Sequence, residues 1–160
     1  MSLITSDLSL QRPLEHGFEL PPLALYVHIP WCIRKCPYCD FNSHAASPEL
    51  PEQAYVAALL ADLELDLAHA HGRQLDSIFF GGGTPSLFSA HALQTLLEGI
   101  EQRLPFSPSI EITLEANPGT FEQEKFAAYR ALGINRLSIG IQSFQDSKLH
   151  ALGRVHSATE

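Results

Sequence analysis

The sequence predicts an α/β fold, the N-terminal part of a (β/α) barrel with parallel strands. Apolar strand-like runs alternate with helix-period segments four times in series, and each run ends in a loop rich in glycine, proline or polar residues. Length is the third guide. The 160 residues suffice for one domain with a core, whereas a full barrel usually takes about 250. A partial, truncated barrel is therefore expected, with 1–22 as an irregular lead-in and 23–160 as the N-terminal portion of a core domain. A doubly wound sheet is the alternative that four βα units leave open. A free edge on the last strand would favour aggregation or a partner.

The lead-in holds three prolines and no sustained period. Leu23 to Ile29 (LALYVHI) is apolar and partly β-branched, as in a strand buried on both faces. A helix beginning near Pro51 sets Val56, Leu59, Leu60, Leu63 and Leu67 on one face, with Asp62, Glu64 and Asp66 off it; Gly72 stops it. Leu75 to Phe80 is the second strand, ended by Gly81, Gly82 and Gly83. Ser89 caps a second helix whose buried face is Leu93, Leu96, Leu97, Ile100 and Leu104, closed by Pro105 and Pro108. Ile110 to Glu115 is the third strand. Thr120 and Gln123 form a capping box for a third helix, with Phe126, Ala127 and Leu132 inward and Gly133 as its end. Arg136 to Ile141 is the fourth strand, and a further loop and helix begin at Gln145.

Composition excludes several classes. The net charge of −8, with no basic run, argues against nucleic acid. The N-terminus lacks the basic-then-apolar pattern of a secretory signal, and no stretch approaches the roughly 20 apolar residues of a membrane span. A cytoplasmic, soluble protein is expected.

All three cysteines, Cys32, Cys36 and Cys39, lie in one loop with C-x3-C-x2-C spacing, directly after the first strand. Barrel enzymes place their chemistry at that end of a strand. Three clustered thiols in a reducing compartment point to metal. A [4Fe–4S] cube has four irons, so three thiolates leave one iron open to a small molecule. Arg34, Lys35 and the loop amides would offset its charge. Structural zinc, with His28 or His44 as fourth ligand, is the rival, although the triplet is not a zinc-ribbon pattern. Inert core cysteines are the bland alternative, which the charged, proline-containing loop disfavours.

The other loops open on the same end. Gly81–Gly83 followed by Thr84 and Pro85 lets a backbone approach a ligand, or is simply a tight turn. Glu115 suits an ammonium or hydroxyl group, or merely favours the next helix dipole. Gln142 suits a ribose or its own loop amides. Arg154 suits a carboxylate but, taken alone, is a surface charge. Tyr26 and Tyr38 flank the cysteine region, where an aromatic is more often core than contact.

The C-x3-C-x2-C loop with Tyr38 before its last cysteine, together with GGGTP at 81–85, resembles the radical-SAM superfamily. The strings LYVHIPWCIRKCPYCDFNSH (25–44), LEANPGT (114–120), RLSIGIQSF (136–144) and LGRVH (152–156) are similar to the oxygen-independent coproporphyrinogen III oxidase-like group, and within it to the haem chaperone branch. The resemblance implies a [4Fe–4S] cluster on Cys32, Cys36 and Cys39. It implies S-adenosylmethionine beside Tyr26 and Tyr38, with Gly82, Gly83 and Thr84 at its methionine part, Glu115 and Gln142 as further contacts, and Arg154 at the carboxylate. It also implies haem, a haem-accepting protein and an electron donor as partners, and one-electron cleavage of the sulfonium to a 5′-deoxyadenosyl radical. The decarboxylating oxidases carry a fourth cysteine where this chain has Phe41, so coproporphyrinogen III oxidase activity is the alternative function and haem delivery the first. The family's remaining barrel units and C-terminal domain have no counterpart in these 160 residues. None of the eight histidines has a spacing that marks it as the haem ligand.

Overall fold

A computed structural model describes residues 19–160, leaving aside the side chains of 120–124. Most of the expected lead-in, and the capping box of Thr120 and Gln123, therefore lie outside the described residues. Four strands form the main sheet: β1 (Leu23–Ile29), β4 (Leu75–Gly82), β5 (Phe106–Ala116) and β6 (Arg136–Ile139). Their order in space is β1-β4-β5-β6, and every pairing is parallel. The order follows the chain with no reversal, which is a barrel arc and not a doubly wound sheet. A second sheet joins the two-residue strands β2 (Trp31–Cys32) and β3 (His44–Ala45). The helices are α1 (Glu52–Ala70), α2 (Ala90–Glu101), α3 (Thr120–Ala131) and α4 (Asp146–Ala151).

One face of the sheet carries the core. Val27, Ile29, Ile78, Phe80, Ile112 and Leu114 pack against Val56 and Leu63 of α1 and against Leu93, Leu96, Leu97 and Ile100 of α2. Burying side chains of this size contributes about 1.5–3 kcal/mol each. The alternate residues of the same strands line the opposite face and are largely polar: His28, Ser77, Thr113, Glu115 and Ser138. The first strand is accordingly not buried on both faces, since Tyr26 is 57% exposed. The helices α1 and α2 cover the core-bearing face.

Local chemistry fixes the ends. His71 (φ 52°) and Gly72 (φ 72°) both take left-handed backbone after α1. Arg73 closes that end by donating to the carbonyls of Ala70 and His69. Ser89 caps α2, accepting the Ala92 N–H at 3.1 Å. Glu52 at the start of α1 accepts from both the Ser89 N–H (2.7 Å) and its hydroxyl (2.6 Å), which ties the two helix starts together.

The structure corrects two boundaries and one helix face. β5 starts at Phe106 and runs through Pro108, because residues 107–110 bulge between the Leu75–Phe106 and Ser77–Glu111 pairs, where a missing N–H costs no ladder bond. β6 stops at Ile139, since the chain turns through Gln142 at φ 66°. On α3 Ala127 is exposed and Tyr129 is buried in its place; the inward stripe runs through Phe126, Tyr129 and Leu132 at three-residue spacing. Tyr129 donates its hydroxyl to the carbonyls of Ser86 (2.7 Å) and Phe88 (3.0 Å). β6 is a sheet edge, and Leu137 and Ile139 on it stay partly exposed, as expected of a last strand. Among the described residues no helix is long and apolar enough to cross a membrane.

Candidate metal and cofactor site

Parallel strands end on one side, so the loops after β1, β4, β5 and β6 meet there. They enclose a cavity of about 190 Å3 lined by Cys32, Cys36, Cys39, Tyr38, Gly82, Gly83, Thr84, Glu115, Gln142 and Arg154, among others. Ten of the eleven site residues expected from the sequence thus share one cavity. Tyr26 does not line it. It stands on β1 beside the cavity, its ring stacked on Phe79 (6.2 Å, 18°) and its hydroxyl 3.0 Å from His28 Nδ1.

The cysteine loop is held at several points. Its two ends pair as β2 and β3, and His44 N–H donates to the Pro30 carbonyl at 2.7 Å. Trp31 wedges between Tyr55 of α1 (4.7 Å, edge-on) and Phe88 (5.7 Å). The Asn42 carbonyl can only accept, so His28 Nε2 donates to it (2.8 Å) and Nδ1 is left to accept the Tyr26 hydroxyl. Lys35 donates to the carbonyls of Phe41 (3.4 Å) and Ser43 (3.0 Å). Lys35 therefore braces the loop backbone, where the sequence suggested a charge partner for the cluster. These braces were not legible in the sequence, because each acts on a backbone carbonyl.

The glycine loop meets the cysteine loop backbone to backbone. Gly83 N–H donates to the Ile29 carbonyl (2.8 Å), and Thr84 N–H to that of Trp31 (2.7 Å). A Cβ on Gly82 would meet the His28 ring at 2.7 Å, and one on Gly83 the Trp31 carbonyl at 2.6 Å. Only glycine permits this approach. Gly82 N–H also donates to Glu115 Oε2 at 3.2 Å. Burial pushes the Glu115 carboxyl up from its ordinary value, with the Gly82 N–H and His28 pulling the other way.

Arg154 reaches in from beyond α4. Its NH2 donates to Asn117 Oδ1 and to the Gly140 carbonyl, each at 2.7 Å, and its NH1 lies 3.6 Å from Cys36 Sγ. Its Nε–H is buried without a partner. Burial also raises the Tyr38 hydroxyl, next by its hydrogen bond with Cys36, while Arg154 opposes the rise. Asn117, whose Nδ2 donates to Thr84 Oγ1 at 3.0 Å, is a lining residue that sequence reasoning passed over. Its only signal was a polar side chain at a strand's C-terminal end.

The donor set fits an iron–sulfur cube with a small ligand. Three free thiols line one cavity with Gly82, Gly83 and Arg154; the glycine loop lies so close to the cysteine loop that a Cβ would strike it, and the buried Nε–H of Arg154 has no partner. Among the described residues no three His, Cys, Asp or Glu side chains stand close enough to hold a single metal ion. A cube does not need that, because each thiolate takes its own iron at a separate corner. The zinc alternative does need it, and both ring nitrogens of His28 are already engaged.

A parallel (β/α) arc with three cysteines after its first strand and glycines after its second defines the radical-SAM class, which works with a [4Fe–4S] cluster and S-adenosylmethionine. Residues 26–160 match the family model of the Radical SAM superfamily, and the chain belongs to that superfamily. It is 58% identical over 142 residues to a protein named Heme chaperone HemW from Escherichia coli strain K12, covering 89% of this chain and 38% of that protein. It is 43% identical, over 86% of its length, to the mitochondrial Radical S-adenosyl methionine domain-containing protein 1 of Bos taurus, of which it covers 31%. Among solved structures it is similar to the coproporphyrinogen III oxidase HemN from Escherichia coli, described as a Radical SAM enzyme. The TM-score is 0.77 at 29% identity, covering 85% of this chain and 31% of that one. The chain thus spans well under half the length of these relatives.

Proposed function

We propose that Cys32, Cys36 and Cys39 hold three irons of a [4Fe–4S] cluster whose fourth iron takes S-adenosylmethionine, in a cytoplasmic haem chaperone that passes haem to an acceptor protein. The convergence of the three thiols, Gly82, Gly83 and Arg154 on one cavity supports the cofactor half, as does the buried, unpartnered Nε–H of that arginine. The 58% identity to a protein named as a haem chaperone supports the other half.

The chain's own residues have distinct tasks in this reading. Gly82 and Gly83 let the glycine loop close against the cluster loop and line the space for the ligand's amino-acid end. Glu115 spends Oε2 on the Gly82 N–H and keeps Oε1 to accept from an ammonium group. Arg154 and Thr84 offer donors to a carboxylate, and Gln142 stands at the rim of the same space. Tyr38 hydrogen-bonds with Cys36, and Tyr26 donates to Nδ1 of the histidine that anchors the loop. When bound, the reduced cluster would supply one electron to the sulfonium of S-adenosylmethionine, from an electron-donor partner.

Porphyrinogen decarboxylation is the second reading, favoured by the likeness to HemN. Phe41 weighs against it: where the oxidases are expected to have a further cysteine, this chain lines the cavity with a 66% exposed aromatic ring. The test is anaerobic reconstitution of the full-length protein followed by haem titration and a product assay on coproporphyrinogen III. Stoichiometric haem binding with no protoporphyrinogen IX is expected. Robust product formation would overturn the chaperone reading.

A further inference from the structure

We infer that Asn117 is the positioning residue of the cavity: it orients Arg154 and Thr84 as a pair of donors for a ligand carboxylate. The inference rests on the cofactor reading above, in which that carboxylate belongs to S-adenosylmethionine.

Three loop ends meet at this amide. Thr84 follows β4, Asn117 follows β5, and Gly140 follows β6. A guanidinium can only donate, so the 2.7 Å contact fixes Oδ1 toward Arg154 and turns Nδ2 toward Thr84. Thr84 Oγ1 therefore accepts, and its own proton is left for another acceptor. Thr84 is 3% exposed and lines the cavity, so an acceptor inside that space is where the proton can go. The same amide holds the Arg154 head while its buried Nε–H stays unpartnered. One side chain thus holds the head of a cavity-lining arginine and leaves the Thr84 hydroxyl proton unspent. Alanine offers neither contact, and aspartate accepts from Arg154 but cannot donate to Thr84.

The arrangement also restrains an arginine ahead of binding. A free arginine side chain loses considerable rotamer entropy when it is fixed. Here Asn117 and the Gly140 carbonyl have already taken NH2. Preorganisation of this kind appears as ligand affinity.

The experiment compares wild type, Asn117→Ala and Asn117→Asp after anaerobic reconstitution, measuring iron and sulfide content and the dissociation constants of S-adenosylmethionine and of its decarboxylated analogue. Asn117→Ala should keep its cluster and bind S-adenosylmethionine of the order of tenfold more weakly, while its affinity for the decarboxylated analogue stays at the wild-type value. Asn117→Asp, of nearly equal size, keeps the Arg154 contact and loses only the donation to Thr84, so it should show a smaller loss of the same selectivity, and the result does not depend on one variant's folding. In an Arg154→Ala background, Asn117→Ala should cost less than it does in wild type, because only its hold on Thr84 is left to lose. Side-chain NMR of Arg154 in the cluster-free chain should show faster guanidinium rotation in Asn117→Ala. Equal weakening of both ligands, additivity with Arg154→Ala, or wild-type affinity would each overturn the inference while leaving the cofactor reading intact. A wild-type protein that carries its cluster and binds no S-adenosylmethionine would overturn both.

Discussion

Replacing Gly83 with alanine should separate the two loops that build the cavity. The new Cβ would stand 2.6 Å from the Trp31 carbonyl oxygen and 2.8 Å from the Pro30 carbonyl carbon and oxygen. These are backbone atoms and cannot rotate away. Ordinary contact begins at 3.4 Å, so the glycine loop must retreat by about 0.8 Å. That movement strains the Gly83-to-Ile29 and Thr84-to-Trp31 hydrogen bonds, now 2.8 and 2.7 Å. Overpacking costs about 1–3 kcal/mol, and each weakened bond adds up to about 1 kcal/mol. In a chain of this size, a total of about 2–4 kcal/mol corresponds to a fall of roughly 5–15 °C in the unfolding midpoint. Circular dichroism reads the midpoint, and iron content after reconstitution reads the loop. Gly72→Ala is the control: at φ +72° with nothing within 4 Å of its Cβ, it should cost about 1 kcal/mol of backbone strain and no iron. A Gly83→Ala protein with wild-type midpoint and iron content would refute the reasoning.

Tyr129→Phe removes a fully buried hydroxyl that donates to the Ser86 and Phe88 carbonyls, and should lower stability by about 1–3 kcal/mol in urea titration. Ser89→Ala breaks both the α2 cap and the clasp to Glu52, and should cost about 1 kcal/mol by the same measurement. For Glu115, burial holds the folded carboxyl above its ordinary 4.5, so between the two values the folded state binds more protons than the unfolded one. Stability of the unloaded chain should therefore fall as pH rises through that window, and Glu115→Gln should flatten the slope of urea midpoints taken from about pH 4 to 7. A slope of opposite sign would show that the Gly82 and His28 interactions outweigh burial.

Three of the four main-sheet strand starts, the first two helices and the cysteine loop are legible in the sequence, because apolar period and glycine or proline punctuation are local signals. LALYVHI was misread in one respect. Its continuous apolar run suggests burial on both faces, whereas an arc covers only the face its crossover helices reach, and Tyr26 stays open. On α3 a stripe drawn through Ala127 missed Tyr129, whose amphipathic ring is buried only because the Ser86 and Phe88 carbonyls wait for its hydroxyl. The site residues that carry recognisable chemistry were legible. The residues that hold them, Lys35, His28 and Asn117, were not. Apart from Tyr26 beside His28, their partners are carbonyls and side chains from 6 to 37 positions away, brought together by the fold alone.

The most direct test is electron paramagnetic resonance of the anaerobically reconstituted, dithionite-reduced protein with and without S-adenosylmethionine. An iron corner left open by Cys32, Cys36 and Cys39 predicts a reduced-cluster signal that shifts when the ligand is added. Identical spectra with a full complement of iron and sulfide, or a protein that retains no iron and sulfide at all, would contradict it.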